Sequence, residues 1–393
     1  MMGNWKTCTI GDLGTVIGGA TPSTKKAENY EGGTISWITP KDLAGFSGRF
    51  ISRGERNITE QGLRSCSTQI MPAHTVLFSS RAPIGYIAIA EKEVCTNQGF
   101  KSIVPNESTD YMFLYYLLKF NKEKIENLGS GTTFKEVSGS TMRGIEVSVP
   151  ESKEEQHQIA SVLSALDDKI EKNSAINENL LQQAQSIFTQ EFLSLDCIPD
   201  GWQESSLLGI ADYLNGLAMQ KYRPKDDEQG LPVLKIKELR QGSCDSNSEL
   251  CSPSIKPEYI IHDGDVIFSW SGSLLVDLWC GGTCGLNQHL FRVTSSTYDK
   301  WFYYAWTNHH LQKFAAIAAD MATTMGHIKR EELSKAEVLI PSQSDYDRIG
   351  GLLAPLYDLV VANRIENRKL ATLRDELLPQ LMSGQLDVSE VSL

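Results

Sequence analysis

Ile35-Ser-Trp-Ile-Thr-Pro-Lys-Asp-Leu43 and Leu231-Pro-Val-Leu-Lys-Ile-Lys-Glu-Leu239 read as two versions of one segment, and their kinship decides the fold. Each opens as an apolar, strand-compatible run and turns into a lysine-bearing polar stretch. Outward from the pair, further matches follow in the same order. Trp5 precedes one segment as Trp202 precedes the other. Val76-Leu-Phe-Ser79 corresponds to Val266-Ile-Phe-Ser269, Asn97-Gln98 to Asn287-Gln288, Tyr115-Tyr116 to Tyr303-Tyr304, and Thr132-Thr133 to Thr323-Thr324. Glu146-Val147 with Pro150 then matches Glu337-Val338 with Pro341. One such match carries little. A whole series in order means a chain built from two copies of one unit.

Each copy reads as mixed α and β. Thr75–Ser79, Gly85–Ala90 and Val266–Trp270 are short, apolar and bounded by turn formers, so strands are expected there. Tyr111–Asn127 and Asp299–Ala319 carry helical spacing with aromatics on one face. Behind each copy runs a long amphipathic helix. Its seam is Ile159, Leu163, Leu166, Ile170, Asn173, Asn177, Leu180, Ala184, Ile187 in the first. In the second it is Ile349, Leu353, Leu356, Val360, Asn363, Asn367, Leu370, Arg374, Leu377, Leu381. Alternating steps of four and three make this a coiled-coil seam. Asn173, Asn177, Asn363 and Asn367 fill matching slots, where a polar residue fixes register at a cost in stability. Pro355 is expected to kink the second helix locally. The expected architecture is α+β. Two similar mixed α/β domains, 1–150 and 196–341, are separated by long antiparallel helices, 151–195 and 342–393, in a pseudo-twofold arrangement. The first seam is long enough to hold two reading heads roughly 42 Å apart at ~1.5 Å per residue, about 12 base pairs of duplex.

Composition narrows the function. With 41% apolar and 22% charged residues, the 393-residue chain is expected to be globular. No apolar run is long enough to cross a bilayer and the N-terminus lacks a secretory pattern, which points to the cytoplasm. The eight cysteines form no disulfide or paired-knuckle framework, so reduced thiols are expected over a zinc site at Cys280, Cys284 and His289. Net charge is −12, and the stretches 1–150, 151–193, 194–341 and 342–393 carry +2, −5, −6 and −3. Neither domain is strongly basic. A nucleic-acid binder of this charge needs a partner for much of its phosphate contact. Glycine-rich phosphate loops and amino-methyltransferase motifs are absent. Glu151-Ser-Lys153 has a nuclease-like Glu-x-Lys form but lies at a domain exit without a preceding Pro-Asp pair. Asp263-Gly-Asp265 reads as a turn before a strand.

The sequence resembles the specificity subunits of type I restriction–modification systems along nearly its whole length. Trp37-Ile-Thr-Pro-Lys-Asp-Leu43, Val76-Leu-Phe-Ser-Ser-Arg81, Val266-Ile-Phe-Ser-Trp-Ser-Gly272, the two Asn-Gln pairs and Thr323-Thr-Met-Gly-His-Ile-Lys-Arg330 carry the likeness. So does the exit Val147-Ser-Val-Pro-Glu-Ser-Lys-Glu-Glu-Gln156, whereas Pro341-Ser-Gln-Ser-Asp-Tyr-Asp347 departs from it by lacking the Glu-Gln pair. The resemblance implies two target-recognition domains, each reading half of an asymmetric bipartite DNA site. It implies helices that set the unread gap and dock two methyltransferase subunits, to which endonuclease–translocase subunits attach. S-adenosylmethionine, ATP and magnesium would belong to those partners and not to this chain. The chain itself is then a non-catalytic subunit. The rival reading is a coiled-coil scaffold whose duplicated domains bind proteins.

Polar, donor-rich loop positions are the candidates for DNA contact. In the first domain they are Lys25, Lys26, Lys41, Ser79, Ser80, Arg81, Asn97, Gln98, Thr132, Thr133 and Lys135. In the second they are Lys235, Lys237, Arg240, Trp270, Ser271, Asn287, Gln288, His289, Thr323, Thr324, His327, Lys329 and Arg330. Arg suits guanine O6/N7 and Asn or Gln suits adenine N6/N7, while Lys and Thr more often hold phosphates. The Asn-Gln pairs have a structural reading too, because a pair repeated in both copies carries two different specificities poorly. Arg81 is the sharper candidate, since its counterpart is Ser271.

Overall fold

The computed structural model describes residues 4–46, 48–81, 83–131, 135–320 and 328–391, with the side chains of Ala319 and Asp320 left aside. The chain divides into two compact units, Met1–Glu171 with Leu370–Leu393, and Lys172–Lys369.

In the first unit, Trp5–Thr9 pairs antiparallel with Glu146–Pro150, bringing entry and exit together. A five-stranded sheet follows in the order Gly14–Gly18, Lys101–Pro105, Val76–Ser80, Ile84–Ala90, Phe50–Ile51. A three-stranded sheet has Ile35–Ile38 at its centre, antiparallel to Arg56–Ile58 and parallel to Cys95–Thr96. Val76–Ser80 is buried on both faces, which is why it reads as a continuous apolar run and not an alternating one. Val76 and Phe78 face Phe113, Tyr116, Ile159 and Leu163, while Leu77 meets Ile38, Leu43 and Phe100.

The second unit repeats this plan with different sheet edges. Gln203–Ser206 pairs with Glu337–Ile340. One four-stranded sheet runs Asp212–Asn215, Leu290–Thr294, Val266–Ser269, Leu275–Leu278. The other runs Leu250–Cys251, Leu231–Leu234, Cys284–Leu286, Ile260–Ile261. Val266 and Phe268 again face an aromatic helix core, and Ile267 faces Leu234, Leu239 and Trp279. The helical stretches expected as single pieces are each broken. Tyr111–Phe120 ends at Asn121, whose amide donates back to the Leu117 carbonyl, before Lys122–Asn127. Lys300–His309 and Leu311–Asp320 meet at His310, whose backbone N–H donates to the Trp306 carbonyl at 3.3 Å.

The long helices span Lys153–Phe188 and Gln343–Met382, and Pro355 does not end the second. They run antiparallel within each unit. In the second unit Asn173 faces Asn367 and Asn177 faces Asn363, with amide bonds of 2.9 Å in both pairs. In the first, Arg374 donates to Asp167 at 2.6 Å, and Asp167 also accepts from the buried Tyr116 hydroxyl. Burial and the Asp167 charge push the Tyr116 phenol well above its ordinary range. The second exit lacks the Glu-Gln pair, and Tyr346 stands at the position of Gln156. Gln156 Oε1 accepts the backbone N–H of Asp110 at 3.0 Å, and Tyr346 Oη accepts that of Asp299 at 2.7 Å. No helix among the described residues is long and apolar enough to cross a membrane.

Candidate nucleic-acid interface

Two parallel strands send the loops that follow them to the same end of a sheet. Trp37 lies beside Cys95 and Ile38 beside Thr96, so Thr39–Leu43 and Asn97–Gly99 become neighbours. Val233 lies beside Gly285 and Leu234 beside Leu286, which brings Lys235–Gln241 against Asn287–His289. The repeated motifs are thus the two halves of one loop frame, made twice.

The asparagines build the frame. Asn97 donates its N–H to the Ile38 carbonyl at 3.0 Å, and its Oδ1 accepts from Gly99 N at 2.8 Å. Asn287 donates to the Leu234 carbonyl at 3.2 Å, and its Oδ1 faces the His289 N–H. A third loop closes the frame: Ala20 N bonds the Thr96 carbonyl at 3.1 Å, and Leu217 N bonds that of Leu286 at 2.9 Å. Gly19 and Gly216 make that approach possible. A Cβ there would fall 2.2 Å from the Thr96 and Asn97 carbonyl oxygens, or 2.3 Å from that of Asn287.

On this frame the first unit presents Gln98, exposed, whose Oε1 accepts from the Thr21 hydroxyl. Lys41 is exposed and paired with Glu55 at 2.9 Å. Lys25 and Lys26 project from the loop beyond Thr21. Arg81 lies 3.5 Å from Glu136, which also holds Lys101 at 3.3 Å. Lys135 is exposed beside this cluster, and Thr132 and Thr133 lie outside the described residues. Ser79 and Ser80 correct the expectation of DNA contact. Both are fully buried: Ser79 Oγ donates to the Pro83 carbonyl and accepts from Tyr86 N, and Ser80 Oγ donates to the Gly99 carbonyl.

In the second unit a cleft of about 460 Å³ gathers Lys235, Lys237, Gln288 and His289 with the buried Asn287 at its base. Gln220 and Arg223 also line it and escaped the sequence reading. Glu249 holds Lys235 and, at 3.1 Å, Arg223, and the Lys235 ammonium keeps the Glu249 carboxyl below its usual range. His289 Nδ1 lies 3.2 Å from the Ser271 hydroxyl, and Trp270 donates to Asn215 at 2.9 Å. Ser271, like Asn287, is too buried to meet a base edge and serves as a support. Arg240, Lys329 and Arg330 are exposed, and Ile328 N bonds the Trp270 carbonyl at 3.0 Å. Thr323, Thr324 and His327 lie outside the described residues.

No group of three or more His, Cys, Asp or Glu among the described residues is placed to hold a metal. Asp263 and Asp265 are occupied by Arg368 and Arg292, and Gly264 between them turns with φ of 85°. Lys153 of the Glu-x-Lys triplet donates to the Glu107 carbonyl at 2.7 Å.

Set against known proteins, the family described as the type I restriction modification DNA specificity domain matches residues 2–182 and 199–374. The MjaIX specificity subunit of Methanocaldococcus jannaschii is 34% identical over 99% of this chain and 95% of its own. The EcoR124I/EcoR124II specificity subunit of Escherichia coli is 28% identical over 42% of this chain and 40% of its own. The crystal structure of the S subunit from M. genitalium shares the fold, with a TM-score of 0.60 over 97% of this chain and 96% of that one at 17% identity.

Proposed function

Because the chain belongs to the family of type I restriction–modification specificity subunits, we propose that each of its two copies reads one half of a bipartite, asymmetric DNA site. The observation that carries this reading is a loop frame repeated in backbone and varied in side chain. Both copies keep a lysine and a glutamine, Lys41 with Gln98 and Lys237 with Gln288, and around them one copy adds Thr21 and the other adds Arg223 and His289. A shared frame with unlike donors suits two unlike half-sites. In this account the glutamine amides and Arg81, Arg223 or Arg240 meet base edges, and the exposed lysines meet phosphates.

The long helices set the length of unread DNA and dock two methyltransferase subunits, with endonuclease–translocase subunits attached to those. S-adenosylmethionine, ATP and magnesium act in the partners. The charge of −12 fits this division of labour, since a chain so acidic gains most of its phosphate contact from its partners.

The test is a duplex titration across salt, with the chain alone and then assembled with its methyltransferase subunit. We expect weak binding alone. The assembly should bind tightly, with log Kobs falling linearly against log salt. A fully assembled complex with no salt-dependent duplex binding would turn the assignment to a protein scaffold.

A further inference from the structure

Within the second unit lies a cavity of about 450 Å³ outside the loop frame. Trp301, Tyr304 and Tyr357 are buried in its wall, and Asp299, Asp347 and Asp358 are exposed at its mouth. The first unit shows what such a place holds. There the Arg49 side chain is only 5% exposed and donates to Asp168 and Glu171 of the long helix. Tyr115 and Tyr116 lie within range of its charge.

The two places correspond residue by residue. Asp358 follows Asp168 by the same 190 residues that separate the matching seam positions Asn173 and Asn363, and Asn177 and Asn367. Tyr304 matches Tyr116, and Tyr357, against which Tyr304 packs edge-on at 4.9 Å, matches the Asp167 that Tyr116 bonds. Leu278 of the cavity wall matches Ile89, since each pairs with the first residue of the central strand, Val266 or Val76.

What differs is the segment that brings the cation. Phe50–Ile51 adds a fifth strand parallel to Ile84–Ala90, and Ile89 N bonds the Arg49 carbonyl at 2.7 Å. The matching sheet of the second unit has four strands among the described residues, and Leu278 N bonds the side chain of its neighbour Asp277. Glu171 is replaced by Val361, and Asp358 has no hydrogen bond or ion pair among the described residues. Lys300 is the one cation in the lining, and its ammonium lies against Gly264, while the Arg364 guanidinium, whose charge reaches Tyr304, is taken by Asp277 and the Leu278 carbonyl.

We propose that this cavity is a receptor for a guanidinium group, carried by an arginine of a protein partner that supplies in trans the cation Arg49 supplies within the first unit. A planar guanidinium stacks on aromatic rings while forking onto a carboxylate, which an ammonium does less well. The inference stands on the cavity and the duplication, independently of the DNA-reading assignment.

The test uses the full chain labelled with 5-fluorotryptophan and follows the Trp301 fluorine line. The probes are N-acetyl-arginine methylamide, agmatine and the neutral, isosteric N-acetyl-citrulline methylamide. We expect saturable shifts from the capped arginine with a Kd on the order of millimolar, as suits a single side chain. Citrulline should give none. Asp358→Asn, an exposed and nearly isosteric change, should weaken binding at least tenfold with the thermal midpoint unchanged. Equal response to citrulline, or to Asp358→Asn and the unaltered chain, would overturn the proposal. Binding of agmatine with exclusion of the capped arginine would overturn the partner assignment in favour of a free guanidinium metabolite.

Discussion

Gly19 and Gly216 are the residues on which the loop frame turns. At each, a Cβ would collide with backbone carbonyls, which cannot swing aside as a flexible side chain could. Gly19→Ala should therefore destabilise its own unit by about 1–3 kcal/mol and blur one half-site only. Denaturant unfolding and half-site preference check this, and an unchanged midpoint would contradict it. Arg81→Ala should likewise alter preference in one half-site, as read by selection from randomised duplexes. A uniform loss over all sequences would make Arg81 a phosphate contact instead. The sequence exposed the polar positions of the frame but not their division of labour. Asn97 and Asn287 stood among the DNA-contact candidates with a structural reading beside that one, because both copies keep them, and in the structure they build the frame. Ser79 and Ser80 looked like DNA contacts because only their type was visible, and burial by Pro83 and Gly99 was not. Thr21 and Lys101 could not be found, since Gln98 and Glu136 lie 77 and 35 residues away in the chain.

The helix seam is the element most fully written in the sequence, because a period of alternating four and three needs no knowledge of the partner. Ile159, Leu163, Leu166, Asn173, Asn177 and Ala184 are all buried. What the seam did not reveal is how the asparagines meet. Asn363 donates to Asn177, and Asn173 donates to both Asn367 and Glu366. Asn177→Leu alone strands the Asn363 amide and should cost about 1–3 kcal/mol. Adding Asn363→Leu should recover much of that, so a double-mutant cycle in denaturant should report coupling. Additive single effects would show that the amides do not fix the register. The helix break at His310 makes a second prediction. His310 is buried, with Nε2 2.8 Å from the Glu337 carbonyl, and burial holds its pKa below the ordinary 6.5. Above pH 6.5 both folded and unfolded forms are neutral and the stability is whole. As pH falls below 6.5 the unfolded chain takes the proton first, so stability is lost. Thermal midpoints at pH 7.5 and 5.5 should differ less in His310→Gln than in the unaltered chain. Equal differences would contradict the assignment.

At the scale of the whole molecule, the duplication was legible because the matches keep their order even where single identities are poor. The edges of the sheets were not. Phe50–Ile51 and Ile260–Ile261 are two-residue strands, too short for any periodicity to announce them. Nor did the sequence show that Tyr346 would take over the bond made by Gln156, since a phenol and an amide differ in shape and share only the capacity to accept and donate a hydrogen bond. If the helices set the gap, adding one heptad to each should lengthen the unread stretch by about three base pairs, from ~1.5 Å per residue and ~3.4 Å per base pair. Methylation mapping reads that length directly, and an unaltered gap would refute the ruler. The same mapping, done in cells carrying the methyltransferase partner with and without this gene, is the most direct test of the central claim. The account predicts a gene-dependent methylated motif in two unlike parts, with substitutions at Gln98 and Gln288 each altering a different part. An active, assembled partner whose methylation pattern is indifferent to this gene would contradict it.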